Sequence, residues 1–96
     1  MKASSLQLID EFCDALWLED GLARNTLDSY RRDLKQFAGW LEPQGLDLLA
    51  VDQSAIQAYL AHRFRARARA STAARLLSAL KRFYRNAVRQ NTIKAD

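Results

Sequence analysis

A row of hydroxyl and guanidinium groups lies near the carboxyl end of this sequence. At about 100° per helical residue it occupies a sector of roughly 80°. Its members are Ser71, Arg75, Ser78, Arg82, Arg85 and Arg89, with Lys81 beside them. Arginine can donate paired hydrogen bonds to a phosphate or to guanine O6 and N7, and hydroxyls reach phosphate oxygens. The row therefore predicts a helix that contacts duplex DNA, because an α-helix fits the major groove.

The row contains no acid of its own. No acidic residue lies between Asp52 and Asp96, so we expect few acids near Arg75 and Arg82. Replacing either arginine should then change the stability by no more than about 0.5 kcal/mol, as is usual for exposed positions.

A second candidate contact is the start of a predicted helix at Arg24, Asn25 and Thr26. Free backbone N–H groups and the helix dipole favour an anion such as phosphate there. Asn25 is also a good N-cap, which is a purely structural interpretation. Both roles can hold together.

Other kinds of chemistry lack the residues that they need. There is no Gly-rich phosphate loop, no H-E-x-x-H, no Cys–His metal spacing and no G-x-S-x-G. Cys13, the single cysteine, lies among apolar residues, so we expect it to be buried, with a reactive thiol as the alternative. A lone histidine, His62, is a poor metal candidate. We expect no catalytic centre, metal, cofactor or small-molecule substrate.

The charge is distributed unevenly. Residues 1–50 hold nine acidic and five basic residues, whereas residues 51–96 hold ten basic and two acidic ones, for a net charge of +4. Such asymmetry favours a polyanionic partner, although a solvated basic face is the alternative. The length of 96 residues fits one domain. With no signal peptide and no apolar run of about 18 residues, we expect a cytoplasmic protein.

Apolar residues recur at helical spacing in four segments, so an all-α fold is predicted. The predicted helices are Ser5 to Asp20, Thr26 to Glu42, Asp52 to Arg65 and Ser71 to Gln90, with Asn25, Asp52 and Ser71 as N-caps. The inward residues include Trp17 in the first, Phe64 in the third and Leu77 in the fourth. The loop from Leu46 to Val51 should pack on the core. The segment from Arg65 to Ala70 should be a helix end and a basic connection.

Two strings, Gly21 to Leu41 and Ala70 to Asn91, resemble the amino-terminal core-binding domain of bacterial tyrosine recombinases. The likeness is to the Xer group of the phage-integrase family and extends from about Leu6 to Asn91. The first string has the pattern N-T-x-x-x-Y-x-x-D-L at Asn25, Thr26, Tyr30, Asp33 and Leu34. The second has S-x-x-R-x-L-S-x-L at Thr72, Arg75, Leu77, Ser78 and Leu80, with threonine in the first serine position.

This resemblance implies a SAM-like domain of two crossed helical hairpins. It implies sequence-specific binding to a recombination half-site, in DNA integration or chromosome dimer resolution. The DNA contacts that it implies are Asn25, Thr26, Arg31, Arg32, Lys35, Thr72, Arg75, Ser78 and Arg82. Its first helix would contact sister protomers, and the catalytic tyrosine would lie downstream of Asp96. The dense Arg63 to Arg69 run departs from the family, and its role stays open.

The main alternative is a helical protein–protein interaction module whose basic row meets an acidic partner without any nucleic acid. Duplex binding at low salt, with no partner protein present, would distinguish the two. An intact small enzyme is a third possibility, but no constellation of residues supports it.

Overall fold

The computed structural model describes residues 3–66 and 69–89, which form four α-helices and no strand. The helices are α1 (Ala3–Ala15), α2 (Arg24–Leu41), α3 (Gln53–Arg65) and α4 (Ala70–Arg89). This confirms the predicted all-α class. Three residues named above lie outside the described residues, namely Arg67 in the basic connection, Gln90 at the predicted end of α4, and Asn91 at the end of the second string. In the described part, no helix combines the length and apolarity that crossing a membrane requires.

A π-helical turn, Leu16–Asp20, continues α1 and changes the direction of the residues that follow. The chain then stops at Gly21, whose φ of 61° is left-handed and whose N–H donates to the Leu16 carbonyl. Because a π turn is wider than an α turn, Trp17 leaves the apolar stripe of α1 and is 55% exposed. The prediction that Trp17 faces the core is therefore wrong. Cys13, one turn earlier, is buried as expected.

α2 begins at Arg24, two residues before the predicted start. Ala23 occupies the N-cap position in extended conformation, and no side chain caps the helix. Asn25 therefore lies inside the first turn, and the prediction that it is the N-cap is wrong. The helix ends in a 3-10 turn, Glu42–Gln44, and the chain reverses at Gly45, where φ is 71°.

The second pair of helices follows its predicted bounds closely. Asp52 caps α3 as predicted, since its carboxylate accepts from the Ala55 N–H at 2.9 Å. Ser71 does not cap α4, because the helix already starts at Ala70. Phe64 is 80% exposed, since the core does not extend to the last turn of α3. Leu77 is 38% exposed at the margin of the core. Both were predicted to face inward, and both predictions are wrong.

The core lies where α1 packs on α2, α3 packs on α4, and α2 lies against α4. Phe12 of α1 meets Phe83 of α4 edge to face, with ring centroids 5.4 Å apart. Phe37 of α2 meets Tyr59 of α3 at 4.8 Å. The loop after α2 packs on this core as predicted, with Leu48 almost completely buried. The fold thus holds α2 and α4 side by side, which are the two helices that carry most candidate contacts.

Tyr84 ties this loop to α4 and makes the fold sensitive to alkaline pH. Its hydroxyl donates to the Leu48 carbonyl at 2.6 Å, and burial raises its pKa well above the ordinary value. Below pH ~10 the Tyr84 phenol is protonated in both the folded and the unfolded chain, so its hydrogen bond stabilises the fold fully. Above that pH the unfolded chain loses the proton first, so stability falls as pH rises.

We expect Tyr84→Phe to lower the free energy of unfolding at neutral pH by about 1 kcal/mol, because the Leu48 carbonyl loses its donor. Above pH ~10 the variant should lose stability less steeply than the wild type. Urea unfolding at several pH values measures both effects. Equal alkaline slopes in the two proteins would contradict the assignment.

Candidate nucleic-acid interface

Three arginines of the predicted row lie seven residues apart on α4, and each pairs with an acid from another element. Arg75 binds Asp33 of α2, whereas Arg82 and Arg89 bind Asp20 and Glu19 of the π-helical turn. We call these pairs the ion-pair row. The prediction that few acids lie near Arg75 and Arg82 is therefore wrong, because the acids come from sequence positions far from α4.

The pair between Arg75 and Asp33 is the best ordered. The Arg75 Nε donates to Asp33 Oδ2 at 2.8 Å, and Nη2 donates to Oδ1 at 3.0 Å. The Asp33 side chain is only 4% exposed, whereas that of Arg75 is 37% exposed. The hydrogen bonds to Asp33 are the largest cause of a raised Arg75 pKa. A buried carboxylate needs such a partner, because an unpaired charge in the core is strongly destabilising.

We therefore expect Arg75→Ala to lower the free energy of unfolding by about 2–3 kcal/mol, below the full penalty for a buried pair because Arg75 is partly exposed. This replaces the expectation of a neutral substitution. Chemical denaturation measures it, with Arg85→Ala as the control, since Arg85 is exposed and forms no ion pair with another described residue. If Arg75→Ala unfolds at the same denaturant concentration as the wild type, the pair of Arg75 and Asp33 does not stabilise the fold.

The other two pairs of the ion-pair row are exposed and exchangeable. Arg82 Nη1 lies 3.4 Å from Asp20 Oδ2, and Arg89 Nη2 lies 2.8 Å from Glu19 Oε2. All four side chains are more than a third exposed, and such pairs contribute only about 0–1 kcal/mol. A phosphate could replace either carboxylate at small cost.

If phosphates replace these carboxylates, the double variant Glu19→Gln and Asp20→Asn should bind duplex DNA about 3- to 10-fold more tightly. The reason is that two carboxylates, each in a weak ion pair, no longer compete with phosphate. Fluorescence anisotropy with a labelled duplex at low salt measures the change. Neutralising Glu11 and Asp14, which lie exposed on α1, changes the net charge equally and controls for it. Equal gains in both double variants would show only a net-charge effect.

Several cations of α2 and α4 keep their donors free. Arg85 on α4 and Arg32 on α2 are exposed, and Lys35 is half-buried. None of the three forms an ion pair with any described residue. Ser71 and Ser78 are exposed on the same side of α4 as Arg85. Arg32, Ser78 and Arg85, together with Arg75 and Arg82, give α2 and α4 a surface rich in hydrogen-bond donors.

The remaining predicted contacts fall in different places. Thr72 and Thr26 are half-buried near the starts of α4 and α2. Arg31 is bound to Asp10 and therefore turns toward α1, away from α4. Arg31 thus lies apart from the predicted contacts on α4, although it lines one shallow cavity with Arg32 and Lys35 of its own helix.

The start of α2 keeps the geometry of an anion site. Arg24, Asn25 and Thr26 fill its first turn, and Leu27 is the first residue whose N–H bonds back to the carbonyl of Ala23. The first backbone N–H groups of a helix have no acceptor within it. Arg24 and Asn25 are exposed there. The prediction that a phosphate binds at this turn stays open.

Asp33, Asp20 and Glu19 are the residues that sequence reasoning missed. Asp33 was visible as the one carboxylate within the apolar spacing of α2, beside Tyr30, Leu34 and Phe37. A charge at core spacing needs a partner, and that signal could have identified it. Nothing local identifies Glu19 and Asp20, because their position depends on the π-helical turn.

The single cysteine and histidine take no part in this surface. Burial raises the pKa of the Cys13 thiol, which opposes thiolate formation and favours a packing role. His62 is exposed and lies against the rings of Trp40 and Tyr59, at 6.0 and 6.2 Å. Within residues 3–66 and 69–89, no cluster of three potential metal ligands occurs.

The structure is that of a small helical domain with a surface rich in hydrogen-bond donors on two packed helices, as a nucleic-acid-binding domain requires. Residues 9–91 match the family model described as phage integrase, N-terminal SAM-like domain, so the chain belongs to this family. The chain is 48% identical over 93 residues to tyrosine recombinase XerD of Ralstonia nicotianae and 48% identical over 89 residues to that of Pseudomonas aeruginosa. It is 43% identical over 96 residues to XerD of Yersinia pestis.

These matches cover 97%, 93% and 100% of the chain, but the chain spans only about 30% of the length of these relatives. No solved structure matches it. The predicted resemblance to the Xer group is confirmed, and these relatives are all XerD recombinases. What matches is an amino-terminal domain and not the greater part of the recombinase.

Proposed function

We propose that this domain binds one face of a recombination half-site in duplex DNA through α2 and α4, as part of a site-specific tyrosine recombinase. The observation that carries the proposal is the set of free or exchangeable guanidinium groups on these two packed helices, namely Arg32, Arg82 and Arg85. The relatives are named tyrosine recombinases, which supports DNA as the polyanion.

The chemistry of strand exchange would reside outside these residues. Tyr30 and Tyr59 are buried, and Tyr84 is half-buried and bonded to the Leu48 carbonyl. None is paired with a group that could activate it as a nucleophile. The chain should therefore form no covalent adduct with DNA. In the whole recombinase, a catalytic tyrosine downstream would cut the strand that this domain helps to hold.

The acidic side of the domain suits a protein partner. Trp17 and Leu18 are 55% and 79% exposed on the π-helical turn, next to the acidic outer face of α1. An exposed tryptophan and leucine side by side favour a protein contact over DNA. We assign this surface to sister protomers on adjacent half-sites, in the cytoplasm.

An NMR titration with a duplex of random sequence at low salt tests the DNA surface. Amide shifts should be largest in the first turn of α2 and along α4, and smallest at Ser4 and Gln7, which are exposed near the start of α1. The same titration distinguishes the protein-interaction module, which would show no shifts with DNA alone. Shifts confined to Trp17, Leu18 and α1 would contradict the proposed surface.

A further inference from the structure

Asp33 occupies a position where stability alone gives no reason for a carboxylate. It lies on the inward side of α2 with Tyr30, Leu34 and Phe37, which are 7%, 0% and 0% exposed. An apolar pair of similar volume in place of a buried salt bridge is often as stable or more so. The carboxylate at this position therefore points to a role that an apolar residue could not fill.

The geometry of the pair determines which donors of Arg75 remain. A guanidinium has two edges that can each hold an acceptor pair, one formed by Nε with an Nη and one formed by both Nη atoms. Asp33 takes the first edge, at 2.8 and 3.0 Å. Since the group is planar and rigid, this fixes the direction of the second edge. The Arg75 side chain remains 37% exposed, so that second edge is available to a ligand.

The contrast within the ion-pair row indicates what this ligand is. Arg82 and Arg89 pair with exposed carboxylates, and such loosely held cations suit phosphates, for which charge matters more than orientation. Arg75 is held in one orientation before any ligand arrives, so less rotamer entropy is lost on binding. A guanidinium edge held in one direction binds well only to two acceptors at the matching spacing. In the major groove, guanine O6 and N7 form such a pair.

We propose that Asp33 is a positioning residue that aims the free edge of Arg75 at one guanine, and that this contact determines sequence preference at a single base pair. The proposal rests on the proposed function, since it assumes that α4 meets DNA. It assigns to the buried carboxylate a part in specificity, with Arg75 as the group that touches the base.

The test uses the 96-residue chain and a pool of duplexes with randomised central base pairs, sorted by binding and sequenced. The wild type should show at least one position where replacing guanine weakens binding roughly 10- to 100-fold. In Asp33→Asn and Arg75→Lys this discrimination should fall below about threefold. Affinity for the duplexes that lack the guanine should not fall, because position 75 keeps a positive charge in both variants.

Two further variants keep the result interpretable. The double variant Asp33→Leu with Arg75→Met replaces the pair by apolar side chains that are expected to preserve the fold, and it should also lose the preference. Arg82→Lys is the matched control, since it changes an arginine of the same row without a buried partner. It should leave the preference at that position intact.

The possible failures are distinct. If the folded Asp33→Asn protein keeps the full preference, or if Arg75→Lys weakens all duplexes equally, Arg75 touches phosphate and the inference is wrong. If the wild type binds duplexes with strong salt dependence but prefers no guanine, the inference fails and the proposed function stands. If the wild type binds no duplex at low salt, both fail.

Discussion

Replacing Arg32, Arg82 and Arg85 together with alanine should weaken duplex binding by about 100-fold at moderate salt, because three phosphate contacts are lost at roughly 1 kcal/mol each. Arg32 lies on α2 and the other two lie on α4, so the variant removes cations from both helices. If the wild type contacts about four phosphates, the slope of log K against log salt should change from near −3.6 to near −0.9. Anisotropy titrations at several salt concentrations give both quantities.

The fold should tolerate this triple variant. Arg32 and Arg85 have no ion-pair partner among the described residues, and Arg82 has only an exposed one at 3.4 Å. The loss of stability should therefore be about 1 kcal/mol or less. As a control, Glu11→Gln with Asp14→Asn removes two exposed carboxylates from α1 and should alter affinity less than threefold, because neither forms an ion pair with an arginine of the described residues. Unchanged affinity in the triple variant would refute the assigned surface.

Phe37→Ala should have the largest effect on stability, about 3–5 kcal/mol. The Phe37 ring is completely buried and lies 4.8 Å from Tyr59 and 6.4 Å from Trp40, measured between ring centroids. Its loss leaves a cavity where α2 meets α3. A domain of this size has only about 5–10 kcal/mol of stability in total, so the variant should be partly unfolded near body temperature. Urea denaturation measures the loss.

Phe64→Ala is the matched control for this cavity. It removes the same side chain at a position that is 80% exposed, so the loss should stay within about 0.5 kcal/mol. The comparison also tests the corrected orientation of Phe64. Similar losses in the two variants would show that the described core is wrong.

Helix positions could be predicted from the sequence because their signals are local. Apolar spacing gave the four segments, and Asp52 caps α3 through a hydrogen bond that spans only three residues. The π-helical turn was not predictable, since its residues also fit an ordinary helix. That single wide turn accounts for the exposure of Trp17 and for the position of the acids Glu19 and Asp20.

The candidate site was predictable only in part, for a physical reason. Periodicity shows which residues share a face of one helix, but it does not show which acids another helix brings to that face. Periodicity therefore predicts few acids near the basic row, whereas Arg75, Arg82 and Arg89 each have an acidic partner. Of the three acids that were missed, only Asp33 had a signal in the sequence, because a carboxylate at core spacing indicates a cation nearby.

The central claim, that this domain binds duplex DNA by neutralising phosphates, is tested by the salt dependence of binding to the 96-residue chain alone. With a half-site duplex and no other protein, the affinity should fall steeply as salt rises, with a slope near −3.6 for about four phosphates. No detectable binding at low salt, or binding that salt does not change, would contradict the claim and favour a domain that meets only proteins.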